Sequence, residues 1–350
     1  MKDRTKEVLR DGFGSLINNA CALRGAKNGP LWLTIIFFIL ALLLPVIPLF
    51  VAQANTNGTS FLGSNSYSLE KYVPSIALDL KNNRNVEFEI GSDHLLSVTE
   101  NGNPVDMGAY GSSQSFAGYV NTATGQYDFL LYISDTTDKN DRAAVKTAID
   151  GIYFTNNTTN VAADKTSNAY HPSYMILFKN SVHVSIFYGT TAVTSSLGGD
   201  YESIDPNSTC LASLLEVKDS DGNVIAPSMF NDDYTNGVLN NYKKFIDKTY
   251  AKLKIQNMFG TSGIYLAIYF GVNVLMGFLM WLLTRGKNNP NNYFSPWLTM
   301  KAQARLALSP ALIAFVAGWF LTQYIVMIYI MLLGLRVMWM SMKELRPIQQ

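Results

Sequence analysis

The chain has 350 residues, 48% hydrophobic and 15% charged, with 27 Lys and Arg against 26 Asp and Glu for a net charge of +1. Such a balance excludes nucleic-acid binding driven by a strongly basic surface, and two cysteines exclude a disulfide framework or a cysteine-rich metal fold. The apolar and charged residues are segregated along the chain, so its organisation is best read segment by segment.

Residues 1–30 interleave Lys2, Arg4, Lys6 and Arg10 with Asp3, Glu7 and Asp11, then set Phe13, Leu16 and Ile17 at near-helical spacing. This predicts a short amphipathic helix on the inner leaflet, with Arg24 and Lys27 at the headgroups; a solvated tail is the plainer alternative. Residues 31–52 contain no charged side chain over 22 positions, a length of roughly 33 Å and enough for the ~30 Å hydrocarbon core. The run exceeds the usual 7–15-residue centre of a cleaved signal, so it reads as a first transmembrane helix. Pro45 and Pro48 predict a kink or stop near its far end.

Residues 53–260 are rich in Asn, Ser, Thr, Gly and Tyr and predict an α+β domain with an antiparallel sheet. Strands are expected at 86–90, 95–99, 127–133, 174–178, 182–188 and 214–217, where β-branched and aromatic residues concentrate. A helix is expected at 138–149 with Asp138 as its N-cap, and another at 238–258, leading into a second uncharged block at 261–284 that reads as transmembrane helix two.

A polar loop, 285–298, comes next. The apolar residues that follow pose a topological question, because a single helix over 306–335 would be about 45 Å long and would need a tilt near 48°, beyond the usual 0–40°. A hairpin resolves this, with transmembrane helices at 299–320 and 323–342, a tip at Gly318, Trp319, Gln323 and Tyr324, and a tail at 343–350. In this scheme Lys301 and Arg305 extend to the inner interface, and Ser309-Pro310 forms an internal kink. Residues 1–30, 285–306 and 336–350 together carry 13 Lys and Arg against 4 Asp and Glu, whereas 53–260 carries 14 against 22. The excess of positive charge assigns both termini to the cytoplasm and 53–260 to the outside of the cell membrane. Cys21 and Cys210 then face opposite compartments.

Candidate chemistry is sparse. Asp219-Ser-Asp221-Gly-Asn223 resembles the start of a calcium loop, but its glycine comes at the fourth position rather than the sixth and Phe230 stands where a bidentate glutamate is needed; a hairpin turn is the better reading. Asp135, Asp138 and Asp141 are placed for a helix N-terminus. His94, His171 and His183 have no partner at ligand spacing, and no nucleophile, phosphate-loop or dinucleotide motif occurs, so the expectation is a non-enzymatic protein without a cofactor. Glycosylation sequons begin at Asn57, Asn156, Asn157 and Asn207, and Tyr110, Tyr119, Tyr127, Tyr170 and Tyr201 could line a carbohydrate site as readily as a sheet core.

Arg24-Gly-Ala-Lys before a helix ending at Leu44-Pro45, Val86-Glu-Phe-Glu-Ile90 followed by Leu95-Leu-Ser97, Ile176-Leu-Phe-Lys-Asn-Ser-Val182, and Arg305-Leu-Ala-Leu-Ser-Pro310 together resemble bacterial integral membrane proteins of the maltodextrin-utilisation type. The segments 102–125 and 156–170 appear as additional Asn/Ser-rich connections. The resemblance implies an accessory or regulatory role in carbohydrate transport, with the lipid bilayer, ABC transporter subunits and a carbohydrate ligand as partners and no catalytic residues. Two further classes share the topology: a mechanotransmitting ABC-permease-like subunit of the FtsX/MacB type, and an envelope structural protein.

Overall fold

The computed structural model describes residues 2–62, 67–109, 114–123, 125, 127–163, 172–187, 195–204, 215–286 and 289–345. They form two compact units, one of residues 1–55 and 256–350 and one of residues 56–255.

The helical unit opens with α1 (Lys2–Gly14) and α2 (Asn19–Asn28), the latter capped by the Asn18 side chain, which accepts from the Ala20 N–H. Helix α3 (Leu31–Leu43) gives way to α4 (Val46–Ala54) at Leu44 and Pro45, since Pro45 has no N–H to continue the ladder.

The second unit contains α5 (Gly58–Leu62), α6 (Tyr67–Asn82) and an antiparallel three-stranded sheet of β1 (Val86–Ile90), β2 (Leu96–Glu100) and β3 (Asn103–Pro104). A five-stranded sheet follows in the order β4 (Ala117–Val120), β5 (Tyr127–Ser134), β6 (Ser173–Phe178), β7 (Ser181–Ile186) and β8 (Ser195–Asp200). All its pairs are antiparallel except β5 with β6, which are parallel. The sheet is therefore mixed rather than wholly antiparallel, because α7 (Lys139–Ala163) carries the chain back across one face between β5 and β6. Strands β5 and β6 are buried at every residue but Tyr127, as expected when both faces are covered. Leu130, Tyr132, Tyr174 and Ile176 pack with Ile149 of α7 on one face. On the other, Phe129, Leu131, Met175 and Val184 meet Tyr72 and Ile76 of α6 and Phe245 of α8 (Asp232–Leu283).

Three expectations change here. Helix α7 runs through 156–163, which the composition suggested was a connection. Residues 214–217 form no strand within the described residues; only an isolated bridge joins Lys218 to Val224 across the Asp219 turn. Helix α6 was not anticipated, because Pro74 disguises a helical spacing in which Tyr72, Val73, Ile76, Ala77 and Leu80 are all buried.

Helix α8 spans 52 residues, about 78 Å by helix rise and more than twice the hydrocarbon thickness of a bilayer. Its distal part joins the helical unit together with α9 (Pro296–Leu306), α10 (Leu308–Gly318), a 3₁₀ turn at Thr322–Tyr324 and α11 (Ile325–Lys343). Small residues mediate the closest packing: Ala41, Ala307, Ala311 and Ala314 meet Tyr269 and Tyr329, and Ala22, Ala26 and Ala302 meet Met280 and Phe294.

Among the described residues, three helical stretches are long and apolar enough to cross a membrane: Leu31–Ala54 (α3 with α4), Asp232–Leu283 and Thr322–Lys343. Only 22% of the most apolar window of the first is buried, so its apolar side chains face outward rather than into a core. Ile36, Ile39, Phe278, Leu282, Ile313 and Met331 are exposed while Asn273, Gln303 and Arg305 are buried, the arrangement expected of helices in lipid.

Candidate functional site

Two places gather polar side chains, one in each unit. In the α/β unit, a cleft forms where the first turns of α7, strands β7 and β8, the β1–β2 turn and α8 meet. Asp138 fixes the start of α7 by accepting the Asn140 N–H at 2.8 Å. The helix then presents Lys139, Arg142 and Lys146 to a cavity of about 340 Å³ that His183, Gly199 and Asp200 also line. A second cavity of about 660 Å³ shares Arg142 and Asp200 with the first and adds Asp93, His94, Asn180, Glu202 and Lys252.

Neutral partners hold Arg142: Nη1 donates to Asn180 Oδ1 at 3.0 Å and to Ser181 Oγ at 2.5 Å. Lys252 bridges two carboxylates, Glu202 Oε2 at 2.6 Å and Asp200 Oδ2 at 3.3 Å. The hydrogen bond from Lys252 holds the Glu202 carboxyl below its ordinary value, and those to Glu202 and Asp200 raise Lys252 in turn. His94 enters with its backbone in the left-handed region, φ +58, and its Nδ1 has no hydrogen-bond partner among the described residues.

Burial, reinforced by the positive charge of Lys146, pushes His183 down to about 4, so its ring is neutral near pH 7. Its Nε2 lies 3.0 Å from Ser185 Oγ, but Ser185 is fully buried and lines neither cavity. The pair is therefore a hydrogen bond inside the sheet, closed to a substrate. The cleft offers cationic and carboxylate groups side by side, suited to hydrogen-bonding hydroxyls or a charged ligand.

Of the tyrosines considered as sugar platforms, the three that are described, Tyr119, Tyr127 and Tyr201, do not line this cleft. Tyr201 is fully buried beside Phe245, Tyr119 packs on Tyr72 at 4.6 Å between ring centroids, and Tyr127 is exposed on β5. Tyr110, Tyr170, His171, Asn207 and Cys210 lie outside the described residues. The Asp219 carboxylate accepts the Asp221 and Asn223 N–H groups at 2.9 and 2.8 Å, closing a turn that needs no ion.

In the helical unit, α9 and α10 are separate helices that break at Ala307. Ser309 and Pro310 occupy the second and third positions of α10. Pro310 has no N–H to offer the Leu306 carbonyl, and that carbonyl instead accepts Arg336 Nη1 at 2.9 Å. Arg336 also donates to Ser309 Oγ and the Ser15 carbonyl, and through Nε to Asn19 Oδ1 at 3.2 Å. One guanidinium thus ties α11 to the α9–α10 break and to the α1–α2 link.

Arg305 does not extend toward an interface as expected. It is fully buried, donating from Nε to Thr34 Oγ1 at 3.0 Å. Its guanidinium lies against Gly25 and Gly29, where a Cβ on Gly29 would stand 2.6 Å from Nη2. Gly25 on α2 and Gly29 at its C-terminal cap together admit the planar group. Lys301 is half-buried and lines a groove between α3, α8 and α9. At the α10–α11 turn, Trp319, Gln323 and Tyr324 are exposed, whereas Gly318 is buried beneath Ile325 and Pro48. These residues meet only in the folded chain; in the sequence, the lone visible cue to the Arg305 seat was the glycine spacing next to α3.

No protein-family model matches this chain, and neither a curated protein nor a solved structure matches it. What defines the protein is therefore its own architecture: helices apolar enough to cross a membrane, joined to an α/β unit with a charged cleft.

Proposed function

We propose that this chain is a multi-pass membrane protein with four spans, the third supplied by α9 and α10 together and the fourth by α11, with both termini in the cytoplasm and residues 53–260 outside. Its α/β unit binds a ligand or partner, and the protein acts without catalysis as an accessory or regulator of transport. The observation that carries this reading is the cleft around Arg142, Asp200 and Lys252, a recess in which cationic and carboxylate groups stand side by side. The resemblance to maltodextrin-utilisation membrane proteins points to carbohydrate as the ligand class and to ABC transporter subunits as partners.

Calorimetry on the full chain in lipid nanodiscs against maltodextrins and other glycans tests this, alongside pull-downs for transporter subunits. Saccharide binding that is lost in Arg142→Ala supports it, whereas no glycan binding together with no recovered transporter subunit rejects it. A second reading, the mechanotransmitting permease-like subunit, is favoured by one observation: α8 continues unbroken over 52 residues. An ATPase subunit that copurifies through the cytoplasmic segments 1–10 or 285–305 selects this second reading.

A further inference from the structure

The groove beside Lys301 has the chemistry of a lipid site. It lies wholly within the helical unit and has a volume of about 360 Å³, room for roughly a dozen waters at ~30 Å³ each. Its walls are apolar, supplied by Leu31, Ile35 and Phe38 of α3, Phe270 and Val274 of α8, and Met300 of α9. Bulk water is poorly held by such walls.

Besides Thr34, which accepts from Arg305, and Asn273, which donates to the Tyr329 hydroxyl, the groove has polar groups at two places. Lys301 and Trp297 stand beside the start of α3, and Lys301 forms no hydrogen bond or ion pair with the described residues. Farther in is Gln303, only 1% exposed. Its Nε2 reaches Asn273 Oδ1 at a long 3.4 Å, while its Oε1 has no partner among the described residues. An unfilled acceptor in an apolar recess is costly, so an occupant must bring a hydrogen-bond donor to Oε1 and an anion to Lys301. Residues 285–306 contain four basic side chains and no carboxylate, so the anion is not supplied by this stretch itself.

We propose that this groove binds an anionic phospholipid with a hydroxylated headgroup, of the phosphatidylglycerol class. The phosphate lies against Lys301 Nζ, a headgroup hydroxyl donates to Gln303 Oε1, and one acyl chain runs along Ile35, Phe38, Phe270 and Val274. Trp297 closes the polar end, the position where indole rings favour the membrane interface. The apolar walls decide for a lipid over free phosphate, because phosphate leaves most of the groove unfilled.

The test is native mass spectrometry of the full chain released from mixed phosphatidylglycerol and phosphatidylcholine nanodiscs. The expected result is one retained phosphatidylglycerol. Lys301→Gln should lower its preference over phosphatidylcholine by about fivefold, the equivalent of about 1 kcal/mol for one basic residue near a membrane surface. Lys301→Arg should restore the preference, and Lys343→Gln, outside the groove, should leave it intact. Val274→Trp should abolish retention by filling the groove, with thermal unfolding checked in the same sample. Equal retention of both lipids, an unchanged preference in Lys301→Gln, or no retained lipid would each overturn the proposal. Displacement of the lipid by millimolar inorganic phosphate would overturn it as well, making the site one for a free anion.

Discussion

The exposed ion pairs of the α/β unit and the buried guanidinium groups of the helical unit are held in opposite ways. In the α/β unit, cations meet carboxylates near the surface: Arg84 with Glu100 at 2.7 Å, Lys146 with Asp150 at 3.6 Å, Lys252 with Asp200 and Glu202. In the helical unit, Arg305 and Arg336 meet hydroxyls, an amide and main-chain carbonyls, and neither has a carboxylate partner among the described residues. The difference follows from the surroundings. Water screens exposed pairs, which contribute little, whereas among apolar helices a donor left without a partner inside the protein is costly; Arg336 is fully engaged, while Arg305 Nη2 has no hydrogen-bond partner among the described residues. The acceptors of Arg336 come from places where helices begin, end or break, and Pro310 produces one by leaving Leu306 O unpaired.

Removing a guanidinium from the helical unit should therefore have the largest effect. Arg336→Met strands several acceptors at once, at about 1–3 kcal/mol for each buried group left unpaired; thermal unfolding in detergent should drop by about 3 kcal/mol or more. Adding Pro310→Ala supplies an N–H to Leu306 O and should recover about 1 kcal/mol. Strict additivity of the two changes would show that Arg336 does not act by satisfying that carbonyl.

Acid should find a weak point at His183 in the α/β unit. His183 is held at about 4 in the fold, against about 6.5 when unfolded. The unfolded chain therefore binds the extra proton between these values. The stability from the neutral ring is complete above pH 6.5 and is lost as pH falls toward 4, up to about 3 kcal/mol over the window. Calorimetric scans should show this loss, and His183→Gln should flatten it; a variant with the same acid profile would remove His183 from the account.

Close packing should be equally demanding in both units. A Cβ on Gly199 would stand 2.5 Å from the Thr249 carbonyl oxygen, and one on Gly29 would meet Arg305 and the Gly25 carbonyl. Each alanine substitution should cost about 1–3 kcal/mol, read as a lower unfolding midpoint for the unit concerned. The smallest effect belongs to Lys252→Gln. Its pairs are exposed, so the midpoint should hold steady while its salt dependence weakens; a large fall in midpoint would show that the cleft depends on this lysine for its shape.

Much of the secondary structure was legible locally. The alternation Val86-Glu-Phe-Glu-Ile90 is found as alternating burial in β1, and Asp138 caps α7 where the composition placed a helix start. Strand β8 was hidden because its Ser-Ser-Leu-Gly-Gly-Asp has low strand propensity; Gly199 instead allows close approach to Thr249. The cleft was not legible, since Arg142, Asn180, Asp200 and Lys252 come from different elements and share no spacing.

The apolar blocks, the skew of charge between segments and the helix interruptions at Pro45 and Pro310 are local properties, because each depends on side-chain chemistry within a few turns of the chain. Only the tertiary structure decided what those features meet. It made β5 and β6 parallel through α7, turned Arg305 inward onto two glycines, and brought Arg336 from α11 to the carbonyl that Pro310 had left open. Those outcomes depend on which residues far apart in sequence share a buried space, and it is burial that makes an unpaired polar group costly enough to choose its partner.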